Sequence, residues 1–361
     1  FTALLQAGTP LLDVRAPVEF SRGAIPCAVN IPLLDDEQRR RIGIRYREAG
    51  QDAAISLGHE LISGAEKEQR LAEWQRFHAD NPGARLYCFR GGLRSRIVQE
   101  WLDERGIAIP RIAGGYKALR GYLLGVLEKA AARDNLIVVA GKTGCAKTHL
   151  LRQLPAHVDL EGHANHRGSA FGPRHGGQPA QIDFENALAV DFIRLAQTQP
   201  QRIFVEDESR AIGSLSVPVP LFEAMRESPL AVIEETLENR AETILRDYII
   251  ANFDDMRAAE PTAAAERFAG YLTGSLDKIR RRLGLERHGE IRALMEAALE
   301  RQLRDGSTSQ HRTWIEKLLT DYYDPMYEYQ LNKKLSRIVF RGNRREFLDW
   351  ADTMNNDSRH H

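Results

Sequence analysis

Two short stretches of this sequence combine residue types that do chemistry. In the first, Cys88-Phe89-Arg90-Gly91-Gly92-Leu93-Arg94-Ser95 follows a short apolar strand and opens a helix. A cysteine there sits at the mouth of a loop whose backbone N–H groups can turn inward. The helix N-terminus, with Arg90 and Arg94, would favour its thiolate. The same N–H groups form a cradle for a tetrahedral anion, and the glycine pair permits the backbone angles such a loop needs. A thiolate so placed could take a chalcogen atom or a phosphoryl group from an anionic donor, with Cys88, Arg90, Arg94 and Ser95 as the reactive set. The competing reading is a buried structural cysteine beside a basic helix start.

In the second, Gly141-Lys142-Thr143-Gly144-Cys145-Ala146-Lys147-Thr148 follows an apolar run and precedes a helix. It matches the phosphate-binding loop pattern at every fixed position except Ala146, where glycine is expected. Backbone N–H groups would cradle phosphates, Lys147 would reach terminal oxygens, and Thr148 would hold Mg²⁺. If position 146 needs a positive φ, alanine there costs about 1 kcal/mol. Ile203–Ser209 ends a strand on Glu206, Asp207 and Glu208, with Asp207 expected in the Mg²⁺ shell. Asp159, Glu161, His166, Arg167 and Ser169 lie at another strand end and its glycine-punctuated loop, the ligand-facing edge of a parallel sheet. Zinc is not expected, because no cysteine is near and the histidines lack ligand spacing.

The elements that must position these residues alternate strand and helix, which predicts parallel sheets covered on both faces. Expected strands are Leu11–Val14, Arg85–Cys88, Leu136–Ala140, Val158–Leu160, Ile203–Val205, Leu230–Ile233 and Ile338–Phe340. Expected helices include Arg94–Arg105 and Lys147–Leu154. The reading is of two α/β domains, 1–133 and 134–361, the second carrying a helical insertion at about 239–329. With 361 residues, 43% hydrophobic and 28% charged, the balance is that of a soluble globular protein. Three cysteines are too few for a disulfide framework, so a reducing cytoplasm is expected. No run approaches membrane-spanning length, and Phe1–Pro10 lacks the basic start and apolar core of a secretion signal.

Fifty basic and fifty acidic side chains cancel, which argues against a dedicated histone-like binder but leaves room for a local basic face. Three basic stretches are candidates for RNA phosphates: Arg45 and Arg47 with Arg39–Arg41, Lys278 with Arg280, Arg281 and Arg282, and Lys333 with Lys334. Each, taken alone, reads better as a solvated helix face; the three together in a neutral protein suggest a phosphate-tracking surface.

Leu11-Leu12-Asp13-Val14-Arg15-Ala16-Pro17-Val18-Glu19-Phe20 and Gly23-Ala24-Ile25-Pro26-Cys27-Ala28-Val29-Asn30-Ile31-Pro32 resemble the opening signature of rhodanese domains. That resemblance implies that Cys88 is the persulfide- or perselenide-carrying nucleophile. The loop is longer than the usual sulfurtransferase loop and closer to the arsenate-reductase and dual-specificity phosphatase type. Cys27 stands where rhodaneses usually have glycine and is expected to pack. With Arg45–Gly50, the Cys88 loop, Asp159–Gly162, His166–Ser169 and Val205–Ser209, nearly the whole chain resembles the tRNA 2-selenouridine synthases, a rhodanese-like domain fused to a P-loop NTPase-like one. The resemblance implies replacement of sulfur by selenium in wobble 2-thiouridine of tRNAs such as those for Lys, Glu and Gln. Selenophosphate would be the donor, made by a separate supplying enzyme, and geranyl diphosphate would alkylate the same sulfur. The alternative is a sulfurtransferase or phosphatase-like rhodanese coupled to an ATP-using P-loop module. A further rival is an RNA-binding scaffold with a degenerate P-loop.

Overall fold

A computed structural model describes residues 1–356. Backbone contacts divide the chain into two units: Phe1–Lys129 with Ala180–Gln197, and Ala130–Pro179 with the residues from Thr198 onward.

The first unit is built on a parallel three-stranded sheet of β1 (Leu11–Asp13), β2 (Ala28–Asn30) and β3 (Arg85–Tyr87), with β1 in the middle. β1 is buried along its whole length, the pattern of a central parallel strand covered on both faces. Leu12, Val14, Leu86, Val98, Trp74 and Trp101 form one core beneath helices Gly64–Asp80 and Leu93–Asp103. Helix Asp36–Leu61 begins on a reciprocal cap, in which Asp35 accepts from the Gln38 N–H at 2.7 Å and Gln38 accepts from the Asp35 N–H at 2.9 Å.

The first break in the contact division falls between Lys129 and Ala130, and helix Gln181–Thr198 crosses the expected two-domain split. Its residues up to Gln197 belong to the first unit although the second domain's sequence surrounds them. The cause is polar and steric: Asp183 accepts from the Ala24 N–H at 2.6 Å, Asn186 donates to the Ala24 carbonyl at 2.6 Å, and Arg120 binds Glu185 and Asn186.

The second unit is a parallel five-stranded sheet in the order β10-β9-β4-β6-β5: β4 (Leu136–Gly141), β5 (His157–Val158), β6 (Ile203–Glu206), β9 (Leu230–Ile233) and β10 (Ile338–Gly342). A small antiparallel hairpin of β7 (Ala211–Ile212) and β8 (Leu215–Ser216) stands apart. β4 is apolar, fully buried and central, so its C-terminal end opens where the order passes to β6 on one side and β9 on the other. In open α/β sheets that end is where ligands bind. Between β9 and β10 the chain runs through a helical insertion from Leu237 to Asn332, close to the expected range. It has its own core, with Phe268, Leu272, Ile291, Met295 and Trp314 at its centre. The fold is thus the expected α/β pair, one parallel-sheet unit and one P-loop-type unit with a helical insertion. Among the described residues no helix is long and apolar enough to cross a membrane.

Candidate functional site

Cys88 lies directly after β3, and Ser95 lies in the first turn of helix Leu93–Asp103. The Cys88 Sγ is 3.3 Å from the Ser95 Oγ, and that hydroxyl lies 3.0 Å from the Gly92 carbonyl. The loop is clamped from behind by Gly114-Gly115. The Tyr116 N–H donates to the Cys88 carbonyl at 3.0 Å and the Lys117 N–H to the Phe89 carbonyl at 2.9 Å. A Cβ on Gly115 would fall 2.2 Å from the Cys88 carbonyl oxygen and 2.4 Å from the Gly91 nitrogen, so only glycine allows this approach. Beside it, the Arg15 guanidinium is buried, paired with Asp13 at 2.6 Å and centred 3.8 Å from the Tyr116 ring, which fixes the end of β1.

The two expected arginine partners behave differently from each other. Arg94 donates to both oxygens of Glu19 at 2.5 and 3.0 Å, and Arg39 reaches the same carboxylate. Burial works against the Glu19 charge, but Arg94 outweighs it and holds the carboxyl below its ordinary range. Arg90 is exposed beside the Phe89 ring. Cys27, expected to pack, is instead exposed. It stands at φ 68°, a left-handed turn position that favours glycine.

In the second unit the loop after β4 takes the expected path. Ala146 sits at φ 62°, ψ 36°, the strained left-handed conformation foreseen for it. Cys145 is buried, and a Cβ on Gly141 would meet its sulfur at 2.5 Å, so its role is packing. Lys147 is enclosed, with its ammonium 3.1 Å from the Gly141 carbonyl. Burial opposes that charge, but Cys145, Glu161 and Glu208 outweigh it and raise its pKa. The Thr148 Oγ lies 2.9 Å from Glu161 and 2.8 Å from Glu206, while Glu206 also accepts from the Glu161 N–H at 3.0 Å. One hydroxyl proton cannot serve two carboxylates, so one of the pair carries a proton. Burial, then Glu161 and Asp159, push Glu206 up to about 8, which makes it the protonated partner. Glu208 is driven up the same way, by burial and then by Glu161.

The carboxyl group that meets Thr148 is one residue earlier than the one expected beside it. Glu206 is the last residue of β6 and faces Thr148. Asp207, expected there, is bound by Lys334 at 2.7 and 2.8 Å. Thr148 and Glu206 bring a hydroxyl and a carboxyl group to one point, and Mg²⁺, which takes oxygen donors while keeping several waters, would displace the Glu206 proton on binding there. Among the described residues no group of three or more His, Cys, Asp or Glu is arranged to hold a metal.

The insertion braces this loop through residues the sequence did not single out. The buried Arg240 donates to the Thr143 carbonyl at 2.9 Å and to Asp324 at 2.5 and 2.9 Å. Lys142 reaches Glu328 at 2.7 Å. Two widened π-helical turns, Leu245–Ile250 and Leu319–Tyr323, bring Tyr248 and Tyr323 to the same cavity of about 850 Å³. Arg174, Arg282 and Tyr327 also line it. Arg240 and Tyr248 carry no local sequence signal for such a place, and Arg282 was expected on an RNA face instead.

A profile described as the tRNA 2-selenouridine synthase AAA domain matches residues 134–358, more than half of the chain. A tRNA 2-selenouridine synthase of Cupriavidus pinatubonensis is 50% identical over 352 residues, spanning 97% of this chain and 96% of that protein. That of Bordetella bronchiseptica is 51% identical over the same length and coverage. That of Pseudomonas fluorescens Pf0-1 is 49% identical over 342 residues, 94% of this chain and 93% of that protein. The chain belongs to the tRNA 2-selenouridine synthase family.

Within this family member the remaining expected residues divide into two groups. Asp159 caps helix Leu160–His163 through the Gly162 N–H at 2.6 Å and pairs with Arg152, a structural task. The His166 Nδ1 accepts from the Gly168 N–H at 3.1 Å. Burial first, then Lys278 and Arg174, lower its pKa to about 4, so it is a neutral ring at pH 7 and not a phosphate-binding cation. Arg167 donates to Asn252 at 2.8 Å and, with Ser169, lines the P-loop cavity. Of the basic stretches, Arg45, Arg47, Lys278, Arg280, Arg281 and Arg282 are all exposed, and Arg282 also lies at the lining of the P-loop cavity. Lys333 stands 3.9 Å over the Tyr329 ring. Lys334, expected on an RNA face, is engaged with Asp207 inside the P-loop site.

Proposed function

We propose that this protein converts wobble 2-thiouridine of tRNA to 2-selenouridine in two steps, with geranyl diphosphate and then selenophosphate as co-substrates. In the first step the thiocarbonyl sulfur attacks C1 of the allylic diphosphate. The C1–O bond breaks, diphosphate leaves with the electron pair, and the uridine N3 proton is lost. The P-loop backbone and Lys147 hold the diphosphate. Mg²⁺ held by Thr148 and Glu206 would supply neutralisation of its charge. Arg167, Arg174 and Arg282 around the cavity suit a polyanionic ligand.

In the second step selenium enters at C2 and geranylthiolate leaves. Selenium in selenophosphate is already at the selenide level, so delivery needs no oxidant. The Cys88 thiolate attacks phosphorus, the P–Se bond breaks, and selenide leaves with the pair. Water then releases phosphate from the cysteine. The seven-residue separation of Cys88 and Ser95, with their side chains 3.3 Å apart, supports this use, because the hydroxyl can stabilise the sulfur when it becomes the leaving group. A perselenide on Cys88 would require a two-electron oxidant that this scheme does not contain.

The observation that carries the reading is the pairing, in one member of this family, of a cysteine on an anion-cradling loop with a separate P-loop. The test is mass analysis of a 2-thiouridine anticodon RNA incubated with the protein and geranyl diphosphate. Without selenophosphate the S-geranyl nucleoside should accumulate, and adding selenophosphate should convert it to 2-selenouridine. Direct formation of 2-selenouridine with geranyl diphosphate omitted would overturn the order.

A further inference from the structure

The first unit contains a cavity of about 500 Å³ that the chemistry above does not use. Its wall is apolar: Leu34, Ile42, Ala54, Ile55, Ile97 and Trp101, from the start and middle of helix Asp36–Leu61 and from helix Leu93–Asp103. Two cations interrupt it, Arg94 and Arg96. Arg94 is engaged with Glu19, whereas the exposed Arg96 has no carboxylate partner among the described residues. Helix Leu93–Asp103 ties this cavity to the thiol. Leu93 and Arg94 line the cavity, and Ser95, the next residue, lies against the Cys88 sulfur. Leu33, Leu34 and Trp101 both line the cavity and belong to the core cluster in which Cys88 packs.

An enzyme whose cysteine handled only small, fully charged anions would have no use for an apolar chamber beside that cysteine. An open apolar cavity forfeits packing contacts along its walls, so one kept next to a reactive group points to an apolar ligand. The volume suits a branched aliphatic chain of about ten carbons, given that ligand pockets run from roughly 300 Å³ upward. The paired polarity, hydrocarbon walls with Arg96 among them, matches a chain attached to a polyanion rather than a free lipid.

We propose that this cavity holds the prenyl group of the S-alkylated wobble uridine while selenium is delivered, and receives it as the departing prenylthiol. The site lies in the cysteine unit and is separate from the P-loop cavity that would take the prenyl donor. This inference rests on the prenylated intermediate proposed above. It makes the cysteine step selective: an unalkylated or briefly alkylated uridine leaves the chamber empty and loses the contacts that position C2.

The test is equilibrium binding, by fluorescence anisotropy, of two synthetic anticodon RNAs that differ only in the group on sulfur, geranyl or methyl. Binding is measured on the full chain with selenophosphate and geranyl diphosphate both absent. The wild type should bind the geranyl RNA at least tenfold more tightly. Ala54→Phe, which fills the chamber, should abolish that preference while leaving affinity for the methyl RNA unchanged. Ala54→Leu, a milder fill, should reduce it partway, and melting curves on both identify a folding defect. Equal wild-type affinity for the two RNAs overturns the proposal, as does a preference that survives in a folded Ala54→Phe. Because no turnover is involved, the result stands whether or not the enzyme itself makes the prenylated RNA. Failure of the two-step order would show in the product assay instead.

Discussion

The two sites are made of different materials. The cysteine site is assembled from backbone and small side chains: a glycine-built loop, a hydroxyl 3.3 Å from the sulfur, and an apolar chamber alongside. The P-loop site is dense with charge and neutralises itself, with Lys147 among carboxylates, Lys334 on Asp207, Lys142 on Glu328 and Arg240 on Asp324. The difference teaches what each has to do. A thiol that handles small anions and a hydrocarbon chain needs shape and a few N–H groups. A loop that binds a diphosphate must keep its cations charged before the ligand arrives, and internal carboxylates do that at the cost of desolvating both signs.

If the P-loop is held by these internal pairs, cutting one should cost far more there than a comparable surface cut. Arg240→Ala would leave Asp324 with only the 3.5 Å approach of Lys142 and the Thr143 carbonyl without its donor. The expected loss is about 3 kcal/mol of stability, at the lower end for breaking a buried pair, read from urea unfolding followed in the second unit. The control Arg40→Ala, whose pair with Glu37 is exposed on both sides, should leave stability essentially unchanged. Equal effects would remove the contrast.

A smaller effect separates the sites by pH. Glu206 titrates near 8 in the folded protein and near the ordinary carboxylate value when unfolded, so between those limits the folded state holds a proton the unfolded state lacks. Stability must then fall as pH rises through that window, and Glu208 acts in the same direction. His166 and His311, both lowered to about 4, act oppositely, but only below their unfolded value of about 6.5. Between pH 6.5 and 8 the carboxylates act alone. Melting temperature should drop across that interval in the wild type, and less in Glu206→Gln. An unchanged slope in the variant would place the proton elsewhere.

Much of this was legible in sequence. Hydrophobic runs located the seven anticipated strands, with ends shifted by up to two residues; the signal was plainest for β1, β4, β6 and β9, which are buried along their whole length. The loop pattern raised the question of a positive φ at Ala146, and the structure answers it with a left-handed turn there. What was not legible came from contacts across long separations. Arg240 and Asp324 are 84 residues apart, and nothing local in either marks a shared strut. The assignment of Helix Gln181–Thr198 to the first unit depends on Asp183 and Asn186 meeting Ala24, about 160 residues away. The choice between Glu206 and Asp207 turned on which of two adjacent carboxylates ends the strand facing Thr148, a matter of one residue in register. Cys27 was expected to pack, whereas its left-handed turn position leaves it exposed.

The central claim is that the two sites do separate chemistry, and a crossed experiment on Cys88→Ser and Lys147→Ala tests it most directly. Each variant is given either 2-thiouridine RNA with geranyl diphosphate, or synthetic S-geranyl RNA with selenophosphate, and nucleosides are quantified by mass spectrometry. Cys88→Ser should geranylate normally and lose selenation by at least a hundredfold. Lys147→Ala should lose geranylation to the same degree and still selenate the synthetic S-geranyl RNA. Loss of both activities in a folded Lys147→Ala, or selenation surviving in Cys88→Ser, would contradict the division.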